Sequence, residues 1–555
     1  MKRVVIGIVI LVLVVGAGAA YKFLIAPGAG GGAAGGAGGA LQFARVENPK
    51  IQGIGGYALS SVDLGEGPVP LLRIPLDTWG GYAALFAANG GIKPSKDSQF
   101  YKKGKFAVEL VSEESSQAQL DGYASGKYPI IWAPMDSLPL LYDALKSDKR
   151  VLPRVLGLFD WSAGGDGIVV RDSVKRAADL KGQIVLTSSN TPFSFLLLWY
   201  LAQNGLSGQD VKVVYIDDGP KALKLFKSDK RIAAWVTWTP FLTDVVQSSS
   251  PSYVAGTRVL ISSRDANQLI ADTYIVRNDL FQDKPDLMAS FCEAMMEGSR
   301  LVAEGSGAAF NAMATFYKLP NASEAKAMLS DVHIANFPEN QMFFDEANPI
   351  GAQKIFLLAQ EYYKQLGALG PSVSYEPDRV LAPAPLQSLA KKGLFAAQKN
   401  TIRDSFNKKA SFDIGDLESQ RVVLTNSIQL WFEAQRLDFD LKSDRPEIKE
   451  NIALLGKVAE QTSFLGTTVV KLVGYLDTSK VADFKAQGNQ AFIEASAQAK
   501  LISKKRAEFI KSVLVQTYKI DAQRIVTEGR GWDNPLDEKD PAKNRRVEVK
   551  FISLE

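Results

Sequence analysis

The 555-residue sequence holds one cysteine, Cys292, and one histidine, His333. No disulfide can close within the chain, and a zinc site built from Cys and His ligands is excluded. Catalysis by a Cys–His or Ser–His pair would rest on His333 alone. That residue sits in Asp331-Val332-His333-Ile334 with no nucleophile motif beside it, and reads as a packed or surface histidine. Charge of one sign is equally scarce. Lys and Arg total 64 against 60 Asp and Glu, leaving +4, and no basic domain of the kind a nucleic acid needs is visible. No cysteine lies near the N-terminus, which excludes a lipid-modified one. Neither an internal repeat nor a metal or cofactor motif stands out. The stretch 27–40, PGAGGGAAGGAGGA, contains G-x-G-x-x-G spacing, but no strand precedes it and no helix follows, so the dinucleotide reading fails on context.

What is present begins with an apolar N-terminus. Met1-Lys2-Arg3 leads into an uncharged run from Val4 to Tyr21, and after Lys22 the run resumes from Phe23 to Ala26. Together these give about 23 residues, enough for a bilayer of roughly 30 Å. Lys2 and Arg3 place the N-terminus in the cytoplasm. A cleaved signal peptide is the alternative, since Ala17-Gly18-Ala19 has the small residues of a cleavage site. The apolar continuation beyond Lys22 favours a retained helix. Either way the remainder of the chain is exported. The Gly/Ala stretch after it reads as a flexible tether with a span of roughly 20 Å.

A length of 555 residues predicts several domains. From about Pro68 to Gly393 short apolar runs alternate with helical patterns. Candidate strands are Leu71–Pro75, Phe106–Leu110, Ile130–Pro134, Gly167–Val170, Gln183–Leu186, Lys212–Ile216 and Ala233–Thr237; candidate helices include Gln117–Gly122, Ser194–Asn204 and Lys221–Lys227. The alternation predicts α/β units with largely parallel sheets, and the length predicts two lobes, 68–158 plus 258–393, and 163–254. A cleft at the C-terminal strand ends would be walled by Trp79, Gly80, Asp136, Ser188, Thr191 and Trp238. Asn190 or Thr191 can cap the next helix, with Pro192 at its first position. The helix N-terminus would offer free N–H groups to an anion. Either tryptophan also suits plain core packing. Asp136 or Asp166 would suit a ligand amine, or cap a helix.

The wording of this region carries a resemblance. Leu71-Leu72-Arg73-Ile74-Pro75 leads to Trp79-Gly80-Gly81-Tyr82; Asp179-Leu180-Lys181-Gly182 precedes a strand and Ser188-Ser189-Asn190-Thr191-Pro192; Thr237-Trp238-Thr239-Pro240 closes another strand. The series resembles the NMT1/THI5-like periplasmic substrate-binding proteins for nitrate, sulfonates, taurine and thiamine precursors. The resemblance implies a two-lobed fold that closes on a small, polar or anionic solute for an ABC-type permease or a sensor. The group includes enzymes of thiamine-precursor synthesis that need a cysteine-rich motif; a single cysteine far from the cleft segments rejects that activity.

The last 136 residues carry a second resemblance. Gly474-Tyr475-Leu476-Asp477 ends an apolar run, Ile502-Ser503-Lys504-Lys505-Arg506-Ala507 lies in a helical pattern, Gly529-Arg530-Gly531-Trp532-Asp533-Asn534-Pro535 forms a loop, and Asn544-Arg545-Arg546-Val547-Glu548 opens the last strand. Four motifs in this order resemble the OmpA-like peptidoglycan-binding domain. Diaminopimelate stems end in one ammonium and one carboxylate, which require a fixed anion and a fixed cation; the Arg fork suits the carboxylate. The resemblance implies those roles for Asp477 and Arg506, with Asn544 and Arg545 lining the same site. Two positions depart from the family pattern: Leu476 stands where the family has Thr, and Ala499 where it has Asn. The segment between Asp477 and Arg506 is also longer than usual, and Asn489 within it could replace the missing amide.

The expected organisation is therefore residues 1–26 as transmembrane anchor or signal segment, 27–43 as linker, 44–395 as an α/β, two-lobed periplasmic-binding-protein fold, 396–419 as connector and 420–555 as an α+β OmpA-like domain. The expected protein is non-catalytic, without metal or cofactor, single-pass in a bacterial inner membrane with its bulk in the periplasm. Its expected partners are peptidoglycan, a small ligand and an ABC permease or envelope complex. A ligand-blind platform linking inner membrane to wall is the alternative.

Overall fold

The computed structural model describes residues 49–554, except 190, 403–416, 418 and 419 and the side chains of 425–427. The expected anchor, the tether and much of the connector lie outside the described residues. Among the described residues no helix is long and apolar enough to cross a membrane.

The chain builds one sheet from β1 (Ser60–Asp63), β2 (Pro68–Leu76) and β3 (Ala107–Ser112), and begins a second with β4 (Ile130–Pro134) and β5 (Pro153–Ser162). It then crosses over to form a third: β6 (Asp166–Arg171), β7 (Ile184–Thr187), β8 (Lys212–Tyr215), β9 (Ile232–Trp238) and β10 (Thr257–Ser262), in the order β10-β6-β9-β7-β8. It returns with β11 (Ala271–Arg277) and β12 (Val332–Ile334), completing the second sheet as β12-β5-β11-β4. Two chain crossings thus join two lobes.

The expectation of largely parallel sheets is corrected. The β12-β5-β11-β4 sheet is antiparallel throughout, and β6 pairs antiparallel with β9 and β10. Parallel pairing is confined here to β2–β3, β7–β8 and β7–β9. The crossings cause this, because a strand entering a lobe from the other lobe arrives at the opposite end of the sheet. β5 and β11, absent from the sequence reading, are the centre of the first lobe. β5 is disguised by Gly157 and Asp160 inside its apolar run, and its pairing with β11 shifts register twice. The Asn340 side chain serves β5 as a substitute ladder, accepting from Leu158 N at 2.8 Å and donating to Leu158 O at 2.9 Å.

The C-terminal sheet has the order β13-β16-β14-β15, from β13 (Val422–Trp431), β14 (Thr468–Tyr475), β15 (Ile525–Gly531) and β16 (Arg546–Ser553). Every residue of β14 is buried, as expected of a central strand covered on both faces. The helix Asn489–Gln516 makes the crossover from β14 to its parallel neighbour β15.

This domain packs on the second lobe. Arg421 donates to both carboxylate oxygens of Asp265 at 2.6 and 2.7 Å and to Leu260 O at 2.9 Å. Ser553 Oγ donates to the same carboxylate at 3.1 Å. Trp199 meets Phe464 edge-on at 6.0 Å, and Gln461 donates to Gln203 Oε1 at 2.9 Å. Asp265 is only 1% exposed, so the contact joins a buried carboxylate to a partly exposed guanidinium beside apolar packing.

Candidate functional site

A cavity of about 760 Å3 opens between the lobes. Its walls come from the segments leaving β2, β3, β4, β7, β8 and β9 at their C-terminal ends, together with Asp166 at the start of β6 and Ile270 and Asp272 around the start of β11.

Of the residues expected there, Trp79, Ser188, Thr191 and Trp238 line the cavity. Each also has an internal task. Trp79 donates through Nε1 to Asp160 Oδ2 at 2.8 Å. Trp238 stacks on Phe193 at 5.1 Å. Ser188 Oγ donates to Ile216 O at 2.9 Å. Thr191 caps the helix Pro192–Gln203, accepting from Ser194 N at 3.4 Å, while Ser194 Oγ donates back to Thr191 O at 2.7 Å. Asn190 is outside the described residues. Two placements are corrected. Gly80 turns away from the cavity; a Cβ there would lie 2.7 Å from Met328 O, so its smallness serves close backbone packing. Asp136 is wholly buried behind the lining, in the turn that ends β4.

The sequence reading missed most of the carboxylates. Asp77, Glu114, Asp217 and Asp272 line the cavity along with Asp166. Asp160 lies directly across the strand pair from Asp272. Among the described lining residues none is Lys, Arg or His. A signal for part of this existed: Asp160 in Leu156-Gly157-Leu158-Phe159-Asp160-Trp161, and Asp272 opening Tyr274-Ile275-Val276, are lone acids in apolar strands.

Burial pushes the Asp136 carboxyl up to about 7, with Asp166 adding repulsion. Burial likewise raises Asp166 to about 6 despite the hydroxyl of Ser162 at 2.6 Å, and Asp77 to about 6 despite Tyr82 at 2.7 Å. Asp160 and Asp272 are both driven up, chiefly by burial and, for Asp272, by the neighbouring carboxylates of Asp160, Asp166 and Asp136. Both oxygens of Asp136 and one each of Asp160 and Asp272 have no hydrogen-bond partner. His333, the only histidine, lies beside Glu339 with Nε2···Oε2 at 2.9 Å, and Cys292 is buried with its thiol pushed up to about 12 by desolvation.

The C-terminal site gathers Asp477, Arg506, Asn544 and Arg545. Asp477 pairs with Arg545 at 2.6 Å and accepts from Ser479 N at 2.7 Å. Burial works to raise this carboxyl, but those partners outweigh it and hold it below its ordinary value. Arg506 is 2% exposed. It donates to Arg436 O at 2.9 Å and Glu433 O at 3.0 Å, and lies 5.1 Å over the Phe432 ring. Its Nη1 has no partner. Desolvation, then repulsion from Arg545, lowers Arg506 to about 10, with Asp477 opposing. Asn544 is held by Leu536 N at 2.6 Å and Asp537 O at 2.8 Å, and donates to Thr478 Oγ1 at 3.3 Å. Asn489 does not replace the missing amide. It begins the long helix in an exposed position, ten residues and about 15 Å along the axis from Ala499, which is buried against Gly531. The extra residues form the short helix Val481–Ala486, and Phe484 and Phe492 stack on Trp532 at 5.7 and 6.1 Å.

The glycines of the motifs let the long helix touch the sheet. A Cβ on Gly474 would sit 2.0 Å from Ser503 O, and one on Gly529 2.0 Å from Lys500 O. Gly474→Ala is expected to destabilise the domain by about 1–3 kcal/mol and to displace Asp477, three residues on. Thermal denaturation checks the first effect; an unchanged midpoint would mean the helix moves aside freely.

Comparison with known proteins follows the same division. Residues 94–305 match the NMT1/THI5 like family model, and residues 442–548 match that of the OmpA family. A putative aliphatic sulfonates-binding protein of Escherichia coli (strain K12) is 26% identical over 218 residues, covering 35% of this chain and 64% of that protein. The chain thus spans less than two thirds of that curated relative. Among solved structures, the periplasmic aliphatic sulphonate binding protein SsuA from Escherichia coli is 17% identical with a TM-score of 0.43, covering 58% of this chain and 100% of SsuA. The periplasmic nitrate-binding protein NrtA from Synechocystis PCC 6803 is 15% identical with a TM-score of 0.42, covering 58% of this chain and 89% of NrtA.

Proposed function

Because the chain joins an NMT1/THI5-like domain to an OmpA-family domain, we propose that it is a non-catalytic envelope protein that captures a small solute between its lobes and grips peptidoglycan through its C-terminal domain, in the service of an ABC-type permease or a sensor. One observation carries the wall-binding half: the unpartnered Nη1 of buried Arg506 beside the Asp477–Arg545 pair. A buried guanidinium N–H without an acceptor is costly, and the carboxylate of a diaminopimelate end would satisfy it. Asp477 would take the ammonium of the same group, sharing its charge with Arg545, and Asn544 holds the neighbouring loop. The solute half rests on the open cavity, since a platform without a ligand would be expected to fill such a space with its own side chains.

The test is co-sedimentation of residues 41–555 with diaminopimelate-type sacculi. Asp477→Ala and Arg506→Lys are each expected to weaken binding by about tenfold or more, the scale of a charge-assisted hydrogen bond. Arg506→Lys keeps the charge but cannot supply the fork, so it separates recognition from simple electrostatics. Wild-type binding by both variants, with melting curves unchanged, would remove these residues from the site.

A further inference from the structure

We propose that the inter-lobe cavity selects an organic cation, a ligand bearing one or more ammonium groups on an apolar body, and rejects sulfonates and other small anions. The inference rests on the solute-binding reading of the cavity and gives it a ligand class.

The charged side chains on the described lining are Asp77, Glu114, Asp166, Asp217 and Asp272, all acidic. An anion held in a protein cavity needs a fixed cation or free N–H groups. Several of the N–H groups at this mouth are committed to the chain's own carboxylates. Ser189 N donates to Asp217 Oδ1 at 2.8 Å, and the hydroxyl of Ser189 adds a second bond at 2.9 Å. Thr78 N donates to Glu114 Oε2 at 3.2 Å. At the following helix N-terminus, Thr191 and Ser194 close the cap on each other. The place where a helix start would receive an anion is therefore bordered by Asp217.

A second observation points to a donor-bearing ligand. Asp272 is 4% exposed, forms part of the cavity wall, and stands directly across the strand pair from the Asp160 carboxyl. Two carboxyls facing each other in the wall of a cavity whose described lining holds no cationic side chain are stabilised in their charged form by a ligand that brings a cation. The walls beside it are aromatic: Trp79, Trp132, Phe193 and Trp238. Ring faces attract ammonium groups and shelter their apolar bodies. Among the described residues no three acidic, His or Cys groups converge as a metal site. The negative charge is spread over the walls, which suits an extended organic cation better than a point charge.

The experiment uses the full chain at pH 8, titrated calorimetrically with choline and putrescine as cationic probes and with ethanesulfonate and nitrate as anionic ones. Native mass spectrometry of the protein isolated from its own periplasm runs alongside. The expected result is heat and a raised melting temperature with an ammonium probe, none with either anion, and a basic adduct by mass. Asp272→Asn is expected to weaken the ammonium probe by about tenfold or more. Glu114→Gln, at an exposed position where folding is not at stake, is expected to weaken it less. Binding of ethanesulfonate or nitrate alone, or an anionic or neutral native adduct, overturns the cation assignment while solute binding stands. Silence from all four probes with no native adduct overturns solute binding itself.

Discussion

Replacing Arg277 with Met is expected to cost about 3–5 kcal/mol of stability, although the residue lies outside both candidate sites. The side chain ends the central strand β11 and is fully buried. Nη1 donates to Tyr123 O at 3.0 Å and Ala124 O at 2.9 Å; Nη2 donates to Gly55 O at 2.7 Å; Nε and Nη2 together grip Asp279 at 3.0 and 2.6 Å. One guanidinium therefore ties the segment before β1, the end of the helix Ser116–Ser125 and the end of β11. Methionine fills much of the volume but removes five charge-assisted bonds. Gly126 N, Gly55 N and Leu280 N still serve Tyr123 O, Ala124 O and Asp279, while the Gly55 carbonyl loses its guanidinium donor, and a buried orphan costs about 1–3 kcal/mol. Lysine keeps the charge without the fork and is expected to recover only part of the loss. Denaturant unfolding with a tryptophan signal measures it. A loss under about 1 kcal/mol would mean that water replaces the network at little cost.

The second large effect is a fall in stability of the ligand-free protein as pH rises from 5 to 8. Asp136 titrates near 7 and Asp77 and Asp166 near 6 in the folded chain, against an ordinary 3.8. Between those values the folded state holds protons that the unfolded chain releases, so stability falls as pH rises through the folded values and is fully present only below about 4. Carboxyls shifted the other way, Asp148 and Asp537 at about 2, lose their contribution only below pH 4 and leave this window clear. The groups that face the cluster do not cancel it. Asp136 faces Asp166 and Tyr363; Asp166 faces Ser162 and Asp331; Asp272 faces Asp160, Asp166 and Asp136; Asp160 faces Trp79 and His333; Asp77 faces Tyr82 and Glu114. At about 1.36 kcal/mol per unit, Asp136 alone accounts for on the order of 2–4 kcal/mol after relaxation. Asp136→Asn is expected to flatten the profile and to stabilise the protein at pH 8. Melting temperatures across pH 5–8 decide it; a profile that rises with pH in both proteins would show that the acids are solvated in the folded state.

The two resemblances read from motif order agree with the matches over residues 94–305 and 442–548. Strands with unbroken apolar runs were legible to within a residue or two: Ile130–Pro134 coincides with β4, and Gly167–Val170 falls inside β6. β5 was not, because Gly157 and Asp160 interrupt the pattern that a period-two reading relies on, and what repairs the strand is Asn340, 182 positions away. The same locality limited the sites. Asp477 and Arg506 were visible because each sits in a motif. Their actual partners, Arg545 for one and the carbonyls of residues 433 and 436 for the other, are set by how helix and sheet approach.

By itself the sequence carried the two family resemblances, the aromatic and capping residues that line the candidate cleft, the four residues gathered at the candidate C-terminal site, and a Cys and His content too low for a Cys–His metal centre. These follow from residue identity and short-range spacing. Only the tertiary structure decided the sign of the cleft. Asp77, Glu114, Asp166, Asp217 and Asp272 are scattered over 196 positions in a chain of nearly balanced charge, and no local pattern joins them. Their convergence is a property of strand ends brought together by two crossings between lobes, and their electrostatics are a property of burial. Neither quantity exists until the chain is folded.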